Sequence, residues 1–481
     1  MSLLSIFAAA RESPKRVGLI TATAQYTFAD LAALSSDRAN TLYRFPAPLL
    51  LQPSIDLESM LWLYAASAMG TTFLALHTRA TAGEQAAVTA LAGARSAPTL
   101  GEEATDSRAE PSARPVSHPD QAYCLMQTSG SSGTPKLVEL SRRAVLASAA
   151  ASQSNLGLLD DERWLLCLPL AHVAGLSILV RMLAARRMVV LFDPGEAGLL
   201  ARAADLGRQM HEHRVTLVSL VPSVLERLLR EGVRPPRSLR AVLVGGAGCS
   251  EEMAVRARRA GFPILTSYGL TETGSQIVAR RYSERDLPLP ARNGCVSSGH
   301  LLPGVELKLV GETIALKTPA LFSGYFGRTA TPLDAEGWFI TSDRGLIGPE
   351  GELYVLGRTD TMIVTGGEKV SPEEVERVLR KIPAIREACV FGVPCAEFGS
   401  SIVAVVTAAT SGPEIDLELL FAQLGEELAR FKLPRAFALA KALPVTASGK
   451  LDRQACRDRF GPGLVSILAA RGGHAAKGQV P

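Results

Sequence analysis

The sequence predicts an α/β fold: a large N-terminal domain of parallel-rich sheets covered by helices, with a small barrel-like β region, and a smaller α+β C-terminal domain. Through about the first 350 residues, short apolar segments bounded by Pro, Gly or Asp alternate with helical patterns, as in helix-covered parallel sheets. After residue 294, short strands and glycine-rich turns indicate antiparallel β structure. The length of 481 residues predicts two or more domains. A smaller C-terminal domain is predicted to begin in the segment 357–360, which gives the domains 1–359 and 360–481.

The N-terminal residues 1–11 are predicted to form a helix, because no basic stretch precedes their apolar run as a signal peptide requires. Residues 59–76 carry no charge and just reach the length of a membrane span. Gly70 interrupts this run, and an apolar strand pattern follows at 73–76. A buried helix, turn and strand is therefore the better interpretation.

The remaining elements follow from apolar runs and helix-start signals. Ser371 and Pro372 indicate the first helix of the C-terminal domain, with Ser as N-cap and Pro at the first helical position. Residues 100–120 are predicted to be a solvated loop and residues 472–481 a frayed tail. The predicted strands are 122–126, 164–168, 187–192, 217–221, 239–244 and 304–310.

Composition excludes several classes of protein. A net charge of +4 without a long basic run argues against nucleic acid as a partner. The seven cysteines include no Cys-x-x-Cys pair, so neither a disulfide framework nor a zinc site is expected and a reducing cytoplasm fits best. The composition leaves open whether the chain forms a homo-oligomer.

A predicted strand leads directly into a loop suited to phosphate. Glycines let backbone amides turn inward, hydroxyls donate hydrogen bonds, and a lysine supplies a compact positive charge. A flexible linker is the alternative, but a linker needs neither the preceding strand nor the Pro-Lys ending. The residues predicted to contact phosphate are Thr128, Ser129, Gly130, Ser131, Ser132, Gly133, Thr134 and Lys136.

This loop resembles the signature of the adenylate-forming superfamily, which includes acyl- and aryl-CoA synthetases, adenylation domains and luciferases. Further segments resemble that family in the expected order, over essentially the whole chain. The resemblance implies an enzyme that activates a carboxylic acid with ATP and Mg²⁺ and transfers it to coenzyme A. These segments are 169–175, 245–247, 267–273, 338–343, 357–360 and 445–450.

The resemblance implies catalytic roles for four residues. Lys450 is placed between the substrate carboxylate and the α-phosphate, where an ammonium offsets the charge of two anions. Glu272 is the predicted Mg²⁺ ligand and Thr271 a hydrogen-bond donor to the α-phosphate. His172 is expected to line the acid pocket as a wall or gate. The alternatives are an exposed loop lysine for Lys450, a helix N-cap pair for Thr271 and Glu272, and a structural histidine for His172.

The nucleotide-binding residues also rest on the resemblance. Tyr268 is predicted to cover the adenine face. Asp343 is predicted to accept hydrogen bonds from the ribose hydroxyls, and Arg358 belongs to the segment predicted to contact the ribose. The alternative for Asp343 is an ordinary turn residue, as an isolated Asp usually is. Asp360 is the predicted hinge about which a mobile C-terminal domain rotates. Further contacts are predicted at Gly245, Gly246, Ala247, Ser267 and Gly269, with Gly366 and Gly367 flanking a pantetheine tunnel.

Residues 170–181, 271–278 and 294–304 resemble the branch of the family that activates o-succinylbenzoate in menaquinone biosynthesis. His172, Ser275 and Gln276 are the predicted acid contacts. Arg227 is predicted to pair with the second carboxylate of such a diacid, with a solvated helix arginine as the alternative. The chain departs from the family pattern at Leu137, Lys369 and His300, which leaves the acid less defined.

Two alternative functions remain open. One is another aryl- or acyl-CoA ligase, or a stand-alone adenylation enzyme that loads a carrier protein. No carrier domain is expected within this chain after Lys450. The other is a non-catalytic nucleotide-binding homologue, against which Lys136, Glu272, Asp343 and Lys450 argue.

Overall fold

The computed structural model describes residues 2–43, 48–78, 80, 82–96, 118–128, 136–195, 197–292, 295–328, 332–365, 368–395, 399–409, 415–446, 449–470 and 476–477. Helices are spread over the whole of this range. They are α1 (Ile6–Glu12), α2 (Phe28–Tyr43), α3 (Leu57–Met69), α4 (Ala82–Ala92), α5 (Arg142–Leu156), α6 (Val173–Ala185), α7 (Gly198–Ala201), α8 (Ala203–Glu212), α9 (Pro222–Arg230), α10 (Glu251–Arg259), α11 (Pro372–Lys381), α12 (Leu417–Glu427) and α13 (Arg453–Ala470).

Most strands are short. They are β1 (Val17–Ile20), β2 (Gln25–Thr27), β3 (Leu49–Leu51), β4 (Phe73–Ala75), β5 (Arg95–Ser96), β6 (Ala122–Thr128), β7 (Lys136–Ser141), β8 (Arg163–Leu166), β9 (Met188–Leu191), β10 (Leu217–Leu220), β11 (Ala241–Val244), β12 (Ile264–Leu270), β13 (Ser275–Ala279), β14 (Ala291–Arg292), β15 (Cys295–Val296), β16 (His300–Leu301), β17 (Glu306–Val310), β18 (Thr313–Lys317), β19 (Gly324–Tyr325), β20 (Phe339–Ile347), β21 (Leu353–Arg358), β22 (Ile363–Thr365), β23 (Glu368–Val370), β24 (Ile385–Cys395), β25 (Gly399–Ala408), β26 (Ala436–Leu439) and β27 (Ala476–Lys477).

Two helix-covered sheets build the large N-terminal region. The nine-stranded sheet has the order β16-β13-β12-β11-β10-β8-β9-β1-β2, and its strands from β12 to β1 run parallel. The six-stranded sheet has the order β19-β7-β6-β4-β3-β5 and is parallel from β6 to β5. Strands such as Ala241–Val244 are buried at every position, as parallel strands covered on both faces must be. The predicted parallel-rich α/β fold is confirmed.

The antiparallel region predicted after residue 294 is also present. Strands β17, β18, β20 and β21 form a four-stranded antiparallel sheet. Its edge strand β21 ends at Arg358, immediately before the segment predicted to be the hinge. This sheet therefore delivers β20 and β21 to the boundary between the two predicted domains.

A separate core follows in the C-terminal region. Strands β24, β25, β26 and β27 form one sheet, against which α11 and α13 pack. The buried Glu376 accepts hydrogen bonds from the Val390 N–H at 2.8 Å and from Arg453 Nη2 at 2.7 Å. These bonds tie both helices to β24. The predicted division after residue 359 falls between this core and those of the large region.

The uncharged stretch at 59–76 folds as predicted. Helix α3 begins after Asp56, whose carboxylate accepts from the Ser59 N–H at 2.7 Å, and ends at Gly70 with φ of 69°. Strand β4 follows, and both elements are buried. Within the described part of the chain, no helix combines the length and apolarity that crossing a bilayer requires.

At the start of α11 one detail differs from the prediction. Ser371 is the N-cap residue, but its side chain does not accept the capping hydrogen bond. Its hydroxyl donates to Glu373 Oε2 at 2.9 Å. Two predicted segments, the loop at 100–120 and the tail at 472–481, lie largely outside the described residues. Within that tail, β27 pairs with β26.

Candidate active site

The predicted phosphate loop connects two antiparallel strands. Thr128 ends β6, Lys136 begins β7, and the two residues are paired across the hairpin. Lys136 Nζ lies 5.3 Å from the centre of the Tyr325 ring. Residues 129–135 lie outside the described residues, so the phosphate contacts of Ser129, Gly130, Ser131, Ser132, Gly133 and Thr134 stay predictions.

The predicted adenine segment follows the buried strand β11. A side chain at Gly245 would place its Cβ 2.7 Å from Ser267 Oγ, so the two predicted nucleotide contacts are in direct proximity. Gly246 has φ of 79°, a conformation that favours glycine. Ala247 is exposed immediately beyond it. The ends of β11 and β12 thus form one surface.

Tyr268, Asp343 and Arg358 form a connected group. The Tyr268 hydroxyl donates to Asp343 Oδ2 at 2.7 Å, and Arg358 Nη1 donates to Asp343 Oδ1 at 3.3 Å. Arg358 also forms two hydrogen bonds to Asp360, at 2.8 and 2.7 Å. Burial raises the pKa of Asp343, while Tyr268 and Arg358 act in the opposite direction. The Tyr268 ring is buried, and its hydroxyl positions the Asp343 carboxylate.

Glu272 lies in a single 3-10 turn that begins at Thr271, where β12 ends. Its Oε1 accepts a hydrogen bond from the Tyr325 hydroxyl at 2.9 Å. Only glycine fits at position 269, because a Cβ there would lie 2.1 Å from the Ser275 carbonyl oxygen. This tight hairpin brings the predicted metal ligand and the predicted acid contacts to the same edge of the sheet.

Glu272 is suited to Mg²⁺ as a single carboxylate ligand. Among the described residues, no group of three or more His, Cys, Asp or Glu side chains is arranged to hold a metal ion. Mg²⁺ at nucleotide sites takes one or two carboxylates and fills its other positions with phosphate oxygens and water. The residues present therefore fit a metal that arrives with the nucleotide.

His172 is the N-cap residue of α6, and its side chain makes no capping hydrogen bond. Its ring lies 5.7 Å from the ring of His77, a residue that sequence reasoning had not selected. Burial, His77 and Lys450 together lower the pKa of His172 to about 4. The ring is therefore neutral near pH 7, as expected of a pocket wall rather than an acid or base.

The Lys450 loop reaches the surface formed by β11 and β12. It is closed by hydrogen bonds between Thr446 and Lys450, and the Gly449 carbonyl accepts from Ser223 Oγ at 2.6 Å. A Cβ at Gly246 would lie 3.3 Å from Lys450 Nζ. Lys450 thus lies beside the predicted nucleotide segment. Residues 447–448 lie outside the described residues.

Ser275 and Gln276 begin β13. Ser275 has φ of 143°, which L side chains rarely adopt, and its Oγ is 3.3 Å from Ser177 Oγ on α6. The buried Gln276 donates from Nε2 to Ser152 Oγ at 2.7 Å, so its amide faces α5. Of the two, Ser275 is the one that contacts the helix carrying His172.

The structure does not bring Arg227 to this site. Its Nε donates to Glu231 Oε1 at 2.5 Å, one helical turn along α9, and its side chain is about half exposed. The structure shows Arg227 as the alternative describes it, a solvated helix arginine, and its pairing with a second substrate carboxylate stays a prediction. A short exposed pair on one helix satisfies the guanidinium instead.

A different arginine, Arg181, has the features that were sought in Arg227. Arg181 is 2% exposed, and among the described residues its Nε and Nη2 have no hydrogen-bond partner. The guanidinium carbon lies 5.4 Å from the Trp164 ring centre. Arg181 and Ser177 line a small cavity together with Gly274. The signal in the sequence is a single charge within the otherwise uncharged α6.

The face of α6 explains this arrangement. Val173, Ser177 and Arg181 follow one another at intervals of four residues, so they lie on one side of the helix. They span about 12 Å at 1.5 Å per residue. His172 stands at the start of this row and Arg181 at its buried end.

Gly366 and Gly367, predicted to flank a pantetheine tunnel, lie outside the described residues between β22 and β23.

Two family models match the chain. The AMP-binding enzyme model covers residues 74–326, and the model of the AMP-binding enzyme C-terminal domain covers residues 374–450. Together they include Lys136, Glu272 and Lys450. The two matches extend over both predicted domains.

Curated relatives share much of this sequence. The 2-succinylbenzoate--CoA ligase of Listeria monocytogenes serotype 4b is 31% identical and covers 93% of this chain and 97% of its own length. The 2-succinylbenzoate--CoA ligase of Enterococcus faecalis is 34% identical over 68% of each chain. The first of these similarities extends across both predicted domains.

Solved structures show the same architecture. The o-succinylbenzoate CoA synthetase of Bacillus subtilis, in complex with the acyl-adenylate intermediate OSB-AMP, is 29% identical with a TM-score of 0.81. It covers 94% of this chain and 97% of its own. The same synthetase in complex with ATP and magnesium ion has a TM-score of 0.80, at 29% identity over 93% of this chain and 98% of its own.

Proposed function

The chain belongs to the AMP-binding enzyme family, and from that premise we propose that it is an ATP-dependent 2-succinylbenzoate–CoA ligase of menaquinone biosynthesis. The observation that carries the choice of acid is Arg181, a buried guanidinium without a described partner for two of its nitrogens. A buried cation of this kind is costly unless an anion joins it. The second carboxylate of succinylbenzoate is such an anion.

In the first step, one carboxylate of the acid attacks the α-phosphorus of ATP and pyrophosphate leaves. Two anions must be aligned, and Lys450 is placed to hold both. Asp343, fixed by Tyr268, accepts hydrogen bonds from the ribose hydroxyls. Mg²⁺, when bound at Glu272, supplies positive charge to the phosphates.

In the second step, the thiol of coenzyme A loses its proton to solvent, and the resulting thiolate attacks the carbonyl carbon of the acyl-adenylate, so that a thioester forms and AMP leaves. The Lys450 loop fills the space beside Gly246, so it must withdraw before the thiol enters. We propose that residues 360–481 rotate about Asp360 for this purpose. The hydrogen bond between Ser223 and Gly449 breaks in that movement.

The proposed location is the cytoplasm. The seven cysteines include no Cys-x-x-Cys pair, and such a scattered set fits a reducing compartment. ATP, coenzyme A and the acid are small-molecule partners, and nothing in the charge of the chain supports nucleic acid as another.

The direct test is a panel of acids with pyrophosphate release as the readout. Succinylbenzoate is expected to give the highest rate, and 4-oxo-4-phenylbutanoate, which lacks the ring carboxylate, a much lower one. Thioester formation is then compared between coenzyme A and a phosphopantetheine-bearing carrier protein, with coenzyme A expected to be the acceptor. If none of the acids gave pyrophosphate release, an enzymatic function would be contradicted. If the acyl group were transferred only to the carrier protein, coenzyme A would be excluded as the acceptor.

The alkaline limb of the pH profile is expected to report Lys450. Solvent reaches this side chain, but the protein around it removes enough water to lower its pKa from 10.5, and Arg358 adds to the effect while Asp343 opposes it. As pH rises through the lowered pKa, Lys450 loses its charge and adenylation falls. The value of kcat/KM for ATP is expected to decline below pH 10.5, since this parameter reports the free enzyme.

The Lys450→Arg variant provides the control for this limb. A guanidinium stays charged throughout the range, so the residual activity of the variant is expected to lose the alkaline decline. The same decline in the variant would assign it to another group.

A further inference from the structure

Tyr325 occupies a rigid position next to the phosphate loop. It lies on β19, which pairs with β7 so that Tyr325 is opposite Val138, two residues beyond Lys136. Its ring meets the Phe322 ring edge-on at 5.0 Å, and Phe322 meets Phe339 in the same way at 5.1 Å. Backbone pairing and aromatic packing therefore fix the ring before any ligand binds.

From this position Tyr325 contacts both charged groups predicted to face the nucleotide phosphates. Its hydroxyl donates to Glu272 Oε1 at 2.9 Å, and Lys136 Nζ lies 5.3 Å from the ring centre. The Phe322 N–H donates to the Glu272 carbonyl at 2.8 Å, so the same segment holds Glu272 at its backbone as well.

We propose that Tyr325 is a positioning residue for the metal-bound nucleotide: its hydroxyl fixes the Glu272 carboxylate for Mg²⁺, and its ring places Lys136 beside it. Tyr325 itself touches none of the reacting atoms. A carboxylate held by one hydrogen bond is restricted to fewer rotamers, so less entropy is lost when the metal binds. The proposal rests on the proposed function only in requiring a magnesium nucleotide; it is independent of the acid.

The Tyr325→Phe variant removes the hydroxyl and keeps the ring. By calorimetry, the Kd of ATP with saturating Mg²⁺ is expected to rise about tenfold, as for loss of a hydrogen bond to a charged group. The Kd of ATP measured in EDTA, and that of AMP, are expected to stay as in the wild type. This selectivity for the metal complex separates positioning of Glu272 from general loss of structure.

Tyr354 offers a matched control, since its buried hydroxyl also donates to a carboxylate, Glu352 Oε1, at 3.0 Å. Tyr354→Phe is expected to leave all three dissociation constants unchanged. Tyr325→Leu removes the ring as well, and is expected to weaken ATP binding in EDTA too through Lys136. Unchanged Mg²⁺–ATP binding in Tyr325→Phe, or equal weakening of AMP, would overturn the proposal. Failure of succinylbenzoate in the acid panel would leave these binding results intact.

Discussion

Replacement of Lys450 with alanine is expected to lower acyl-adenylate formation about 10²–10³-fold, as for removal of one group that stabilises developing charge in a transition state. Lys450 Nζ approaches Gly246 at the end of β11 and lies within the electrostatic influence of Asp343. Pyrophosphate release with saturating acid and ATP measures the loss.

The same variant is expected to convert synthetic acyl-adenylate and coenzyme A to thioester at the wild-type rate. The reason is that the Lys450 loop has to leave before the thiol enters, so the ammonium has no part in the second step. Lys441→Ala, at an exposed lysine of the same domain, is the control and is expected to change neither rate. Equal loss of both half-reactions in Lys450→Ala would contradict the proposed rotation about Asp360.

Local features of the fold were predictable because they depend on short-range chemistry. Gly70 ends α3 in a left-handed conformation, and Pro372 begins α11. Alternation of apolar segments with helices was enough to predict parallel sheets. In the same way, the order of segments along the chain indicated which residues face the nucleotide, and the structure brings Gly246 and Lys450 together.

The site residues that were missed depend on packing between distant segments. Arg227 and Arg181 are both helix arginines, and the burial of α6 distinguishes them in the structure. In the sequence, the absence of other charges from α6 is the one sign of that burial. Tyr325 stands 53 residues from Glu272, and their hydrogen bond exists because β19 joins the edge of the second sheet. Sequence periodicity carries no information about such contacts, because a strand of two residues has no pattern to detect.

Arg181→Met is expected to lower kcat/KM for succinylbenzoate roughly 150-fold. This corresponds to a loss of about 3 kcal/mol of transition-state stabilisation, as for truncation of one member of a buried charge pair. The loss is expected to vanish with 4-oxo-4-phenylbutanoate, which has no ring carboxylate to pair with. ATP binding is expected to remain unchanged, because Arg181 lies at the far end of α6 from His172. Steady-state kinetics with both acids measure the coupling.

Arg181→Met also separates binding from stability. Burial lowers the pKa of Arg181 to about 9, which reflects the cost of holding its charge away from water. Methionine fills a similar volume without that charge, so the unfolding temperature without substrate is expected to rise. Arg227→Met is the matched control: its exposed pair with Glu231 is worth little, and neither acid binding nor stability is expected to change appreciably. Loss of succinylbenzoate activity in Arg227→Met but not in Arg181→Met would restore the acid contact to α9 and leave the buried charge of α6 without a ligand.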